Sequence, residues 1–237
     1  MGSGIYIATS GAVAQTKSLD VIANNVANAS TIGFKAQRAV FREALVNAER
    51  RDVAFVGVDP AEDDVSQGAL RQTGEKLDLA LVGEGFFAVD TPRGPRYTRA
   101  GDFRLDPAGA LVNGAGLAAR SQTGGKITIP AESSEVAVDP EGRVFADGEE
   151  VGQLEIARFR GGRRIREGAN LFSIQGAEQV TEDLPEVRSG ATEQSNVSTI
   201  RGVVDLVRVS RTHQSMMRMI EAYQQIENRT AQIGSGR

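Results

Sequence analysis

Val203-Val-Asp-Leu-Val-Arg-Val-Ser-Arg-Thr-His-Gln-Ser-Met-Met-Arg-Met-Ile-Glu-Ala-Tyr-Gln224 carries the strongest structural signal in the chain. Val203, Leu206, Ser210, His213, Met217, Ile220 and Gln224 alternate steps of three and four, the spacing of a heptad seam on an α-helix. Beside them Val209, Thr212, Met216, Met219, Tyr223, Ile226 and Thr230 repeat the same alternation, which makes the apolar face wider than a two-helix contact requires. From Thr199 to Gln232 there is no proline and one glycine, Gly202, so the spacing predicts one long helix that needs more than one neighbour.

Working outward, Ile5, Ala8, Ala12, Leu19, Ile22, Val26 and Ala29 predict an amphipathic helix at the other end, stopped by Ser30-Thr-Ile-Gly33. Between the helices the pattern changes to short strands and turns. Leu77, Leu79 and Leu81 alternate with polar or small residues ahead of Phe86-Phe-Ala-Val89. Phe103-Arg-Leu-Asp-Pro-Ala-Gly-Ala-Leu-Val112 and Val136-Ala-Val-Asp-Pro-Glu-Gly-Arg-Val-Phe145 both read strand, Asp-Pro-x-Gly, strand, with Pro preset for the second turn position and Gly for a left-handed one. Asp147-Gly148 and Gly161-Gly162 predict two more hairpins. The expected fold class is α+β: long N- and C-terminal helices pairing as a coiled-coil-like assembly domain, with an inserted antiparallel β-rich domain.

Composition removes most enzyme classes. The 237 residues include no Cys and a single His, which excludes thiolate metal sites, cysteine nucleophiles and multi-histidine metal centres. A formal net charge of −4 argues against general affinity for nucleic acid. No stretch approaches the roughly 20 apolar residues of a membrane span, and Met1-Gly-Ser-Gly-Ile-Tyr-Ile-Ala-Thr-Ser10 lacks the basic start and apolar run of a secretory signal.

Individual candidates have plain structural readings. His213 has no acid or nucleophile placed around it and reads as a helix-contact residue. Glu62-Asp63-Asp64 lacks the spacing of a calcium loop and reads as a solvated acidic turn. Gly83-Glu-Gly-Phe-Phe87 leads into a strand, not a helix, so it is no dinucleotide fingerprint. Arg158-Phe-Arg-Gly-Gly-Arg-Arg-Ile-Arg166, the one basic cluster, reads as a hairpin that is either a solvated face or a contact to an acidic surface of another subunit, with phosphate binding third because no helix N-terminus or glycine cradle follows. Asn24, Asn25 and Asn28 are poor helix formers: either the helix end frays there, or the amides fix register by pairing with backbone or partner polar groups.

Ile22-Ala-Asn-Asn-Val-Ala-Asn-Ala-Ser-Thr-Ile-Gly-Phe-Lys35, followed by Arg38 and Phe41, closely resembles the N-terminal signature of the bacterial flagellar rod and hook proteins. Three further matches follow in that family's order: Leu77-Asp-Leu-Ala-Leu-Val-Gly-Glu-Gly-Phe-Phe-Ala-Val89, Tyr97-Thr-Arg-Ala-Gly-Asp-Phe103, and Ser195-Asn-Val197. The length and the compact turn Thr91-Pro-Arg-Gly-Pro-Arg-Tyr97 look most like the proximal rod branch, with the distal rod branch next. The chain departs from the family at Arg201-Gly202 and at Ser210-Arg-Thr-His-Gln214, where only Arg211 is kept.

The resemblance implies a non-enzymatic structural subunit without cofactor or metal. It would be exported through the flagellar type III apparatus without a cleavable signal and would polymerise helically with itself and other rod proteins in the basal body across the periplasm. It also implies which residues assemble: Ile5, Leu19, Ile22, Asn24, Asn25, Val26, Asn28, Gly33 and Phe34 at the N-terminal end, then Ser195, Asn196, Val197, Val203, Leu206, Arg211, Met216, Met217, Met219, Ile220 and Tyr223. The expected divisions are a discontinuous helical domain of residues 1–35 and 190–237, a connecting stretch at 36–76 and a β-rich outer domain at 77–189. Two competing readings from other classes are a hydrolase using Asp102 and Asp106, and a soluble coiled-coil adaptor.

Overall fold

A computed structural model describes residues 3–48 and 51–235. The chain divides into two compact units. The first contains Met1–Ala27, Gln37–Asp64 and Ser198–Arg237; the second contains Asn28–Ala36 and Val65–Val197.

The first unit is built from α1 (Ser3–Ala27), a hairpin of β1 (Gln37–Ala48) and β2 (Arg51–Asp63), and, from the C-terminal end of the chain, the helix Thr199–Ser235. The hairpin runs in register from Gln37 opposite Asp63 to Ala48 opposite Arg51, broken between Arg38 and Val40, where Pro60 on the other strand has no N–H to offer. In α1 the small residues Gly11, Ala12 and Ala14 are buried together with Val21. They let a neighbour approach closely: a β-carbon on Gly11 would lie 3.3 Å from the Met216 sulfur. Toward the other end of α1, a β-carbon on Gly202 would come within 2.6 Å of Val26 Cγ2. Arg201-Gly202 thus coincides with the place where the Val26 side chain of α1 packs on the helix backbone.

The second unit is antiparallel β throughout. Its strands are β3 (Leu70–Gln72), β4 (Leu79–Val82), β5 (Phe86–Thr91), β6 (Gly94–Thr98), β7 (Arg104–Leu105), β8 (Leu111–Val112), β9 (Val136–Val138), β10 (Arg143–Ala146), β11 (Glu149–Gln153), β12 (Ile156–Arg160), β13 (Arg163–Glu167), β14 (Leu171–Gln175), β15 (Glu178–Val180), β16 (Glu186–Ser189) and β17 (Ala191–Glu193), and the C-terminal helix Thr199–Ser235 is α2. The largest sheet has the order β13-β14-β6-β5-β12-β15. The core gathers Leu79, Leu81, Phe87, Phe103, Leu111, Ile127, Val144 and Leu154, with the Phe87 and Phe103 rings edge-on at 5.3 Å.

Both Asp-Pro-x-Gly segments form the turns their sequences predict. Asp106 Oδ1 accepts the N–H groups of Ala108 and Ala110, and Asp139 Oδ1 accepts those of Glu141 and Arg143. Gly109 and Gly142 take the left-handed position at φ 78° and 80°. Asp147 and Gly148, at φ 50° and 88°, close the tight hairpin between β10 and β11.

Two expectations are corrected. Long terminal helices pairing as a coiled-coil-like assembly domain do not describe this chain: among the described residues seventeen strands accompany two helices, and the structure is mainly β. The reason lies in residues 37–63, whose Val-, Phe- and Ala-rich stretches form a hairpin against α1, so that α1 buries its face on strands as well as on α2. Most of the α2 seam stays in solvent, with Val203, Met217, Met219, Tyr223 and Ile226 exposed. Gly161-Gly162 is not a hairpin turn either. Arg158 opposite Val180, Arg160 opposite Glu178, Arg163 opposite Gln175 and Glu167 opposite Leu171 keep one register across the glycines. β12 and β13 are therefore one strand bent at Gly161-Gly162, β14 and β15 its bent partner, and the turn lies at Gly168-Ala-Asn170.

Candidate assembly site

The N-terminal signature divides between the two units. In the first, Asn25, in the last turn of α1, has its side-chain amide bound to one residue of β1: Nδ2 donates to the Gln37 carbonyl and Oδ1 accepts the Gln37 N–H, both at 2.8 Å. This side chain fixes register in the manner of a strand neighbour, which selects the second of the two asparagine readings at this position. Asn28 accepts the Thr31 hydroxyl at 3.2 Å in the turn that follows the helix.

In the second unit, Gly33, Phe34 and Lys35 are buried. Gly33 adopts φ 67°, and a β-carbon there would sit 2.2 Å from the Ala100 nitrogen, so only glycine fits. Its N–H donates to the Glu193 carbonyl at 2.8 Å. The Phe34 ring lies under the Arg166 guanidinium at 4.7 Å, and the same guanidinium lies 5.0 Å from the Phe172 ring and donates to the Lys35 carbonyl.

Lys35 reaches the centre of a buried charge cluster. Its Nζ is 2.5 Å from Glu193 Oε1, and Arg99 Nη1 is 3.1 Å from Glu193 Oε2. The Glu193 carboxylate also accepts the Gly68 N–H, Lys35 donates to the Ser66 carbonyl, and Arg99 Nη2 donates to the Gly83 carbonyl. Burial pushes the Arg99 guanidinium below its ordinary value, and the Glu193 carboxylate acts in the opposite direction. Asn196 completes the arrangement, taking the Ala36 N–H on Oδ1 at 2.7 Å and donating Nδ2 to Ser66. Ser66, Ala36 and Asn196 each stand next to a point where the chain leaves this unit, and they are hydrogen-bonded to one another.

The remaining expected residues lie apart from this cluster. Ile5, Leu19, Ile22 and Val26 are half-buried along α1, and Asn24 is exposed. Ser195 Oγ accepts the Val197 N–H just before α2. Leu206, Met216 and Ile220 are half-buried on α2, whereas Val203, Arg211, Met217, Met219 and Tyr223 are exposed. His213 is half-buried there, with no hydrogen-bond partner for Nδ1 among the described residues. Asp106 of the supposed hydrolytic pair is committed to its turn. Arg99, Glu193 and Ser66 were not singled out as site residues by the sequence, and Arg166 only as the end of the basic cluster. The one visible signal is that Lys35 and Arg99 are the only cations of their motifs, Ile22–Lys35 and Tyr97–Phe103.

Residues 5–35 match the model of the flagella basal body rod protein family, and residues 80–146 match the flagellar hook protein FlgE/F/G D1 domain. The chain is 31% identical to the flagellar basal-body rod protein FlgF of Rhizobium meliloti over 89% of both chains, and 32% identical to that of Caulobacter vibrioides over 93% of both. It is 32% identical to the FlgG of Bacillus subtilis over 90% of this chain and 91% of that one. The paired ends of the signature and the long matches agree: the chain belongs to the flagellar basal-body rod proteins, which are structural subunits and not enzymes.

Proposed function

We propose that this chain is the FlgF-type, proximal subunit of the flagellar rod, and that it polymerises through the apolar face of α2. The observation that carries the assembly reading is that face itself. Ile200, Val203, Val204, Val207, Met217, Met219, Tyr223 and Ile226 are all exposed on one helix, with Ile200 at 83%. Eight large apolar side chains left exposed on one helix, in the groups 200–207 and 217–226, mark interaction surface. The apolar residues of α1 and α2 named above are its assembly residues, and the buried Lys35–Glu193–Arg99 cluster ties the signature's end into the β unit.

The subunit reaches the basal body through the flagellar type III apparatus, and its rod lies across the periplasm. Other rod proteins are its neighbours. No helix among the described residues is long and apolar enough to cross a membrane. The FlgG-type, distal position is the second reading, favoured by the equal identity to the Bacillus subtilis protein. Complementation separates the two: the chain should restore motility and appear in purified basal bodies in a strain lacking its FlgF-type protein. Restoration only in a strain lacking the FlgG-type protein would select the distal reading, and absence from basal bodies in both would overturn the proposal.

A further inference from the structure

We infer that the bend of the β12–β15 ribbon, carrying Arg160, Arg163 and Arg164, is a docking face for the acidic β10–β11 edge, Glu149 and Glu150, of a second copy of this chain. The inference rests on the reading of the chain as a polymerising subunit and names a contact in the β unit, separate from the helices.

The bend is built into the backbone. Gly161 and Gly162 have φ 71° and 72°, and a β-carbon on Gly162 would lie 2.4 Å from the Ala177 β-carbon on the opposite strand. No other residue fits, so the two sides of the bend hold Arg160 and Arg163-Arg164 in a fixed relation. All three are exposed and form no ion pair with another described residue. Their neighbours differ: Arg93 and Arg96 pair with Glu167, Arg120 with Asp90 and Glu155, Arg143 with Asp139, and Arg158 with Glu84. Even Glu178, directly across the ladder from Arg160, forms no ion pair with it.

A concentration of unpaired guanidinium groups on a chain of net charge −4 calls for a carboxylate partner, because the planar fork matches a carboxylate bidentately. The same unit supplies one on another sheet. Glu149 and Glu150 leave the Asp147-Gly148 turn exposed and form no ion pair with another described residue, Arg143 acting on Glu150 only at longer range, whereas Asp147 itself is held by the Ser134 and Glu135 N–H groups. A two-fold contact would engage both patches of each copy at once and close at the dimer, whereas a head-to-tail contact leaves one patch free at each end and propagates into rings or helical polymers; a polymerising subunit uses the second.

The absence of native cysteine makes the test direct. In basal bodies carrying the Arg163→Cys, Glu150→Cys double variant, oxidation should give a ladder of species beyond the dimer, and each single variant should give monomer. No ladder from double variant recovered in basal bodies, or dimer from Arg163→Cys alone, overturns the inference. Loss of even the wild-type chain from basal bodies would instead strike at the rod reading on which it rests. A charge exchange covers the case in which the cysteines disturb assembly. Arg163→Glu with Arg164→Glu, and separately Glu149→Arg with Glu150→Arg, should each lower recovery about tenfold or more. The four changes together should restore it, and failure to restore it in soluble, folded protein overturns the contact.

Discussion

Lys35 and Glu193, 158 positions apart, meet at 2.5 Å with each side chain 1% exposed. A buried ion pair adds little net stability against an apolar replacement, yet removing one partner strands the other charge. Glu193 faces two cations, so Glu193→Ala leaves both Lys35 and Arg99 uncompensated and should cost about 3–5 kcal/mol. Lys35→Met leaves Glu193 with Arg99 and should cost clearly less. Urea unfolding of the purified chain checks the order; equal losses for the two variants would show that the cluster does not act through charge.

Gly33→Ala meets both a left-handed backbone and the Ala100 backbone at 2.2 Å. The expected loss exceeds about 1 kcal/mol, and the variant should fail to restore motility although it is made and exported. Wild-type thermal stability together with normal swimming would contradict the packing described for this residue.

Asp102 supplies a dependence on pH. Its carboxyl is raised above the usual aspartate range, chiefly by burial and further by the Asp78 charge, against its own backbone N–H and Arg104. The folded state therefore holds a proton that the unfolded chain has already released, and stability falls as pH rises from the ordinary aspartate range through the raised value. Asp102→Asn removes this term. Its melting temperature should exceed that of the wild type at neutral pH, with the gain vanishing in acid; a gain that grows toward low pH would reverse the sign.

Met219 is 52% exposed on α2 and Ile220 is half-buried. Met219→Asp should leave monomer stability within about 0.5 kcal/mol yet abolish recovery in basal bodies, because assembly would bury an unpaired charge in every subunit. Ile220→Asp should lose both. Wild-type recovery of Met219→Asp would remove the exposed face of α2 from the assembly surface.

Features that depend on a few consecutive residues were legible in the sequence. Asp106 and Asp139 each complete their turn within four positions, and Asp147-Gly148 closes a hairpin by its own backbone preference. The three-and-four spacing along α2 needed no partner to be seen, and the Ile22–Lys35 motif pointed to the family. Gly161-Gly162 was the ambiguous case. Two left-handed glycines suit a turn or a bend equally, and only the unbroken register against residues 175–180 decides between them.

The residue types and local spacing thus determined the helices, the tight turns and the membership in the rod family. Tertiary structure alone decided that residues 37–63 form a hairpin against α1, that Arg99 and Glu193 join Lys35 in the core, and that Asn25 binds the Gln37 backbone. The physical reason is range. Turn and helix preferences act over three or four residues, whereas a lysine in a motif becomes a buried ion partner only when packing brings a carboxylate from the far end of the chain to it.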